Sequence, residues 1–239
     1  MDLTVLQLNI RNWKTNKYLF SVDLSNYHPH VILLNETSCT ENNIKLRGYY
    51  VIQNCTERFS GVAILIHNTV QFSIIPTKDK DTLSIKINTS LGPLIIATSY
   101  IPPRLNVIPS ISINKILDYN LPTLFIADFN AHHPMFHNTT ARNANGDARG
   151  AQLSALAVNR NLDFLGPMFY TFETNRSKGT PDIVLTSNQF QIFHHQITKG
   201  NTFSDHSSII LKISTVPIKV IVNSNLNLNT SIFLISTIF

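Results

Sequence analysis

Thr123-Leu124-Phe125-Ile126-Ala127-Asp128-Phe129-Asn130-Ala131-His132-His133 carries the reading of this chain. The run from Thr123 to Ala127 is uncharged and apolar throughout, as a strand covered on both faces would be. It stops at a carboxylate, and an amide follows two residues later. The pattern recurs on either side. Val31-Ile32-Leu33-Leu34 is a second continuous apolar run, and Glu36 follows it. Leu3 to Ile10 alternates well enough for a strand that reaches Asn9. Asp182 opens the run Ile183-Val184-Leu185, and Asp205-His206 stands just before Ile209-Ile210-Leu211.

Further short β-branched segments, bounded by turn residues, cover Gly48–Ile52, Val62–Ile66, Leu83–Ile87 and Leu94–Ala97. Helices are expected around Tyr18–Leu24, over Ile111–Tyr119 and over Gly150–Asn161, where Leu153, Leu156 and Ala157 fall at i, i+3, i+4 spacing. Many short strands with few helices between them favour two packed sheets flanked by helices over a doubly wound parallel sheet. The expected organisation is one domain over 1–215. The stretch 216–239 then forms a tail, an edge strand or the start of a truncated linker, because its asparagines interrupt every apolar run.

Length and composition narrow the function. The 239 residues suffice for a large buried core, and 43% of them are apolar against 14% charged. That balance excludes a disordered charged tail and a long coiled coil. The net charge of +5 permits a polyanionic partner without demanding one. Cys39 and Cys55 are too few for a disulfide scaffold and lack a zinc spacing. No basic, apolar leader opens the chain, and no window of about 20 residues is apolar enough for a membrane span. The reading is therefore a soluble, intracellular protein with no membrane partner.

Carboxylates are scarce, so their placement is informative. Each Asn or Asp at a strand end is, taken singly, a turn or cap former. The joint pattern of Asn9, Glu36, Asp128 with Asn130, Asp182, and Asp205-His206 points to strand ends aimed into one cleft. Carboxylates around an open position suit a hard cation such as Mg2+. A carboxylate beside His206 would fix the imidazole's tautomer. Metal, base and oriented imidazole together suit the attack of water on a phosphodiester.

Asp128-Phe129-Asn130-Ala131-His132-His133 and Ser204-Asp205-His206 resemble signatures of the endonuclease/exonuclease/phosphatase superfamily, which includes DNase I and the abasic-site endonucleases. Gln7-Leu8-Asn9, Glu36-Thr37, Ser99-Tyr100-Ile101-Pro102-Pro103, Tyr170-Thr171-Phe172 and Pro181-Asp182-Ile183 keep the family's order. The His132-His133 extension and Asp147-Ala148-Arg149-Gly150, with Asn161 to Leu165, are similar to the endonuclease domains of non-LTR retrotransposons. The sequence departs from the pattern at Leu8, where an aromatic residue is frequent, and at Ala127, where Gly is usual. Neither change removes a donor, an acceptor or a ligand.

The resemblance implies a four-layer α/β sandwich, DNase I-like, in which two packed mixed β-sheets are flanked by helices and the site lies at one rim. It implies that Glu36, with Asn9 and Asp205, holds Mg2+, for which Mn2+ is a possible substitute. One ion or two are both compatible with it. Asp128 would orient or deprotonate the attacking water, and Asn130 would hold the nucleophile or the phosphate. His206, held by Asp182, would contact the scissile phosphate, and Tyr100 would donate to a phosphate oxygen. Thr171 would contact the nucleic-acid backbone. Arg176 and Lys178 either enter a DNA groove from a hairpin loop or are solvated charges, and Arg11 is a weaker phosphate contact. His132 and His133 either approach the phosphate or pack within their loop.

The activity so implied is metal-dependent nicking of one strand of double-stranded DNA to leave a 3′-hydroxyl, with the nucleus as the place of action and element RNA or a reverse transcriptase as further partners. Elements of this kind usually continue into that polymerase, for which 239 residues leave no room. A truncated copy, a fragment and a lone domain are the corresponding expectations. Two other functions stay open on the sequence. One is a phosphatase or phospholipase with the same core site. The other is a decayed remnant that binds nucleic acid without cutting it.

Overall fold

In the computed structural model the run from Thr123 to Ala127 is a strand whose side chains alternate between two cores. Leu124 and Ile126 enter one apolar cluster, and Phe125 and Ala127 enter another. Val31 to Leu34 behaves likewise, with Val31 and Leu33 on one side and Ile32 and Leu34 on the other. Period-2 geometry with apolar residues in both phases requires a layer on each face. The structure describes residues 2–39, 43–55, 60–139, 144–202 and 204–219.

In chain order the elements begin with β1 (Leu3–Asn9), α1 (Trp13–Tyr27), β2 (Val31–Asn35), β3 (Tyr49–Asn54), β4 (Val62–His67), β5 (Phe72–Ile75) and β6 (Thr82–Thr89). They continue with β7 (Gly92–Ser99), α2 (Ser110–Leu117), β8 (Thr123–Asp128), α3 (Ala148–Asn159) and β9 (Leu162–Gly166). A short hairpin, β10 (Phe172–Glu173) with β11 (Lys178–Gly179), precedes β12 (Asp182–Ser187), β13 (His195–Thr202) and β14 (Ser207–Ile213).

One six-stranded sheet has the order β13-β14-β1-β2-β4-β3 and the other β5-β6-β7-β8-β12-β9. Both are mixed, since β1 runs parallel to β2 and β7 parallel to β8, while the other neighbours are antiparallel. The inner faces meet around Val5, Leu33, Ile64, Ile96, Ile126 and Val184. Trp13, Phe20 and Leu24 of α1 cover the outer face of the first sheet. Ile113 and Ile116 of α2, with Leu153 and Ala157 of α3, cover the outer face of the second. This is the four-layer sandwich that the resemblance implies. Each fully buried Leu or Ile in these layers is worth roughly 1.5–3 kcal/mol.

Strand register builds the functional rim. Asn9 stands opposite Asn35 in the β1–β2 pair, and Asp182 stands opposite Asp128 in the β12–β8 pair. Tyr100 bridges to Asp128, and Phe172 bridges to His206. At the other end of β1, Leu3 pairs with Ile213, and the Leu3 amide donates to the Thr215 carbonyl at 2.8 Å.

Some elements differ from the sequence reading. Helix α1 runs well beyond Tyr18–Leu24 in both directions, started by Asn12, whose side chain accepts from the Thr15 amide. Strands β5, β9 and β13 were not anticipated. Residues 216–219 run beside β6 and β7, where the Ser90 amide donates to Val216 and the Ile218 amide to the Asn88 carbonyl. The rest of the proposed tail, 220–239, lies outside the described residues. Among the described residues no helix is long and apolar enough to cross a membrane.

Candidate active site

The rim gathers polar side chains from both sheets. Asn9, buried at the end of β1, donates from Nδ2 to Asp128 Oδ2 at 2.8 Å and to Glu36 Oε2 at 3.1 Å. The Tyr100 hydroxyl donates to the same Glu36 oxygen at 3.2 Å. Asp182, fully buried, accepts from Gln7 Nε2 at 2.7 Å on Oδ1 and faces His206 Nδ1 at 3.0 Å with Oδ2. Asp128, Asp182 and His206 offer ligand-type atoms that all lie within 4.8 Å of one another. Sheet register and cross-sheet hydrogen bonds thus bring Asn9, Glu36, Tyr100, Asp128, Asp182 and His206 together.

Burial tunes these groups. Burial first and the Asp182 carboxylate second push Asp128 up to about 7, against the pull of His206 and the Asn9 hydrogen bond. Burial alone would draw His206 down. The charge and hydrogen bond of Asp182, with Asp128 and Asp205 behind it, override that and lift the imidazole to about 9. Burial, then Glu36 and Asp128, hold the Tyr100 phenol far above its ordinary range, so it stays a donor.

Asn130 lies beside this group. Its backbone amide donates to Asp128 Oδ1 at 3.1 Å, and its side-chain amide donates to the Ile101 carbonyl at 3.0 Å. Asp205 forms an ion pair with Arg11 through Oδ2, while its Oδ1 is buried without a hydrogen-bond partner among the described residues. Arg11 is thereby neutralised in part, and its amide donates to Asn9 Oδ1.

Other expected residues fall elsewhere. Thr171 is 0% exposed, its backbone is fixed between the Gly179 carbonyl and the Ser207 amide, and its hydroxyl is buried without a hydrogen-bond partner among the described residues. Lys178 is paired with Glu173 across the β10–β11 hairpin, and Arg176 is exposed at the turn. His132 and His133 pack within their loop. His132 Nδ1 sits 3.0 Å from Asp147 Oδ2, and His133 Nδ1 accepts from the Met135 amide. Asp147 is in turn the N-cap of α3, accepting from the Gly150 amide at 2.7 Å.

Sequence reasoning missed Asn35. From the end of β2 it donates to Thr98 Oγ1 and to the Ser99 carbonyl, and it accepts from Gln7 Nε2 and the Asp128 amide. One buried amide therefore links the ends of β1, β2, β7 and β8. Its signal was present as the sole polar residue of Val31-Ile32-Leu33-Leu34-Asn35, just before Glu36.

The comparisons agree with this geometry. Residues 94–210 match the family described as endonuclease-reverse transcriptase. The chain is similar to the RNA-directed DNA polymerase from mobile element jockey of Drosophila funebris, with 26% identity over 207 residues, 82% of this chain and 22% of that protein. The chain thus spans about a fifth of the length of the curated relatives it matches. Among solved structures it resembles the endonuclease domain of TRAS1, a telomere-specific non-LTR retrotransposon. That match has a TM-score of 0.74 at 18% identity and covers 88% of this chain and 98% of that one. An AP endonuclease from Archaeoglobus fulgidus gives a TM-score of 0.70 at 14% identity over 89% and 99% of the two chains. In its four layers the chain shares the fold of these endonucleases, and in sequence it is similar to the proteins of non-LTR retrotransposons and to the endonuclease-reverse transcriptase family.

Proposed function

We propose that the domain is a divalent-metal-dependent DNA endonuclease that hydrolyses one strand of a duplex and leaves a 3′-hydroxyl. The observation that carries this reading is the convergence of Glu36, Asn9, Asp128, Asp182 and His206 at one rim, across two sheets. The donor set fits a hard cation: it is rich in carboxylate oxygen, and Asp205 Oδ1 is buried with no donor assigned to it. Glu36, with Asn9 and Asp205, would hold the ion. When bound, the ion supplies charge stabilisation at the phosphoryl oxygens.

The protein's own groups then divide the work. Asp128, lifted toward neutrality by burial, takes the proton of the attacking water. Asn130, anchored on Ile101, positions that water or the phosphate. His206 is an imidazolium at neutral pH because Asp182 holds its Nδ1, so its Nε2–H donates to the scissile phosphate as charge develops. Tyr100 donates to another phosphate oxygen. The released 3′-hydroxyl would prime reverse transcription in an element of this kind, and element RNA and a reverse transcriptase would be its partners, in the nucleus.

The test is conversion of supercoiled plasmid to open circles with Mg2+ or Mn2+. Asp128→Ala and His206→Ala should each lower nicking by about 10²-fold or more. Well-folded protein that makes no open circles at any salt or pH would overturn the proposal.

A further inference from the structure

Tyr100 belongs to two hollows. Its hydroxyl reaches Glu36 in the site, and the residue also lines a neighbouring cavity of about 660 Å³. Lys78, Lys80, Leu105, Val107 and Ile108 are among the other walls. A space of ligand size thus adjoins the rim at Tyr100.

The walls are of two kinds. Lys78 and Lys80 are exposed and make no ion pair among the described residues. The carboxylates between and beside them are turned to internal donors. Asp79 Oδ2 accepts from the Ser112 amide at 3.1 Å, and Asp81 Oδ1 accepts from the Ser60 hydroxyl at 2.8 Å. Ser112 Oγ accepts in return from the amides of Lys78 and Asp79 at 3.0 and 2.9 Å. The loop is thus pinned to the first turn of α2 with its ammonium groups facing out. The same cavity is lined by Val107, 69% exposed, and Leu105, 43% exposed, which no core explains.

We infer that this cavity is a nucleotide subsite: it takes one nucleotide of the cleaved strand adjacent to the scissile phosphate. The flanking phosphate meets Lys78 and Lys80, and the base lies flat on Leu105 and Val107. Cations without an ion pair among the described residues and exposed apolar side chains, lining one cavity with Tyr100, match the two surfaces that a nucleotide presents. An isolated phosphate ester would use only one of them. The inference rests on the endonuclease reading and names how its substrate is gripped.

The experiment measures duplex binding by fluorescence anisotropy across a salt series, alongside steady-state nicking. The double variant Lys78→Ala/Lys80→Ala should bind roughly tenfold more weakly at low salt, and its log–log salt slope should shrink by about 1 to 2. KM for nicking should rise, with kcat little changed. Lys78→Arg/Lys80→Arg should restore binding, and Val107→Ser should weaken it without altering the salt slope. Unchanged affinity and slope in the double alanine variant, with its melting temperature intact, overturns the subsite. Because binding is read without cleavage, wild-type protein that binds duplex through these lysines but never nicks would sink the endonuclease reading and leave the subsite standing.

Discussion

Glu36, Asn130 and Arg11 share a backbone property that their side chains do not reveal. Each has a left-handed φ, at 52°, 46° and 58°. Non-glycine residues pay conformational energy there, of order 1–3 kcal/mol each where strain is genuine. All three follow strand ends at the rim, where a sharp turn places a side chain over the cleft. The titrating groups beneath them make stability depend on pH. His206 rises from its ordinary 6.5 to about 9, so its contribution is complete below 6.5 and is lost as pH climbs through 9. Asp128, also raised, acts with the same sign: its contribution is complete below its ordinary 3.8 and is lost as pH climbs to about 7. The melting temperature of metal-free protein should therefore fall between pH 3.8 and 9, by an amount on the order of 1–3 kcal/mol in stability. His206→Gln should flatten the upper part of that fall and Asp128→Asn the lower; an unchanged slope in both would refute the assignment. Most rim residues were legible in the sequence because a polar residue ending an apolar run has few other reasons to be there. The burial of Thr171 was not legible, because order along the chain does not report it: its backbone is held by Ser207 and Gly179.

Among the elements, α3 shows how a helix start can hold the loop after β8 in place. Asp147 caps it and clasps His132 through both its backbone and its ring. Gly150 is required on spatial grounds, since a Cβ there would lie 1.9 Å from the His132 carbonyl oxygen. Burial opposes ionisation of Asp147, but the Gly150 and His132 hydrogen bonds and the Arg149 charge hold it below the usual carboxylate range. Asp147→Ala should cost about 1–2 kcal/mol in urea unfolding, and Gly150→Ala should cost more. Equal stability in both variants would disprove the clasp. Element by element, α3 and β8 were readable because one keeps a clean apolar stripe and the other is apolar in both phases. Helix α1 was only partly readable: Tyr18, Leu19 and Val22 lie exposed and blur its stripe. Strand β13, His195 to Thr202, holds Ile197 as its one large apolar residue and sits at a sheet edge. Such a strand is held by backbone pairing to β14, which no side-chain pattern announces.

For the molecule as a whole, the pairing of Leu3 with Ile213 sets the start of β1 beside the end of β14. They meet at the pole of β1 opposite Asn9, and the seven residues of that strand separate them from the rim by about 20 Å. The domain is thus a candidate for circular permutation. Joining residue 215 to Leu3 through a short linker, and opening the chain between Tyr119 and Asn120, should give a protein that unfolds cooperatively near the parent's midpoint. A permutant that loses cooperative unfolding would show that the present order of strands is needed for folding. The same geometry keeps the start of β1 and the end of β14 at the antipode of the polar rim, so neither crowds the face on which Asn9, Asp128 and His206 converge.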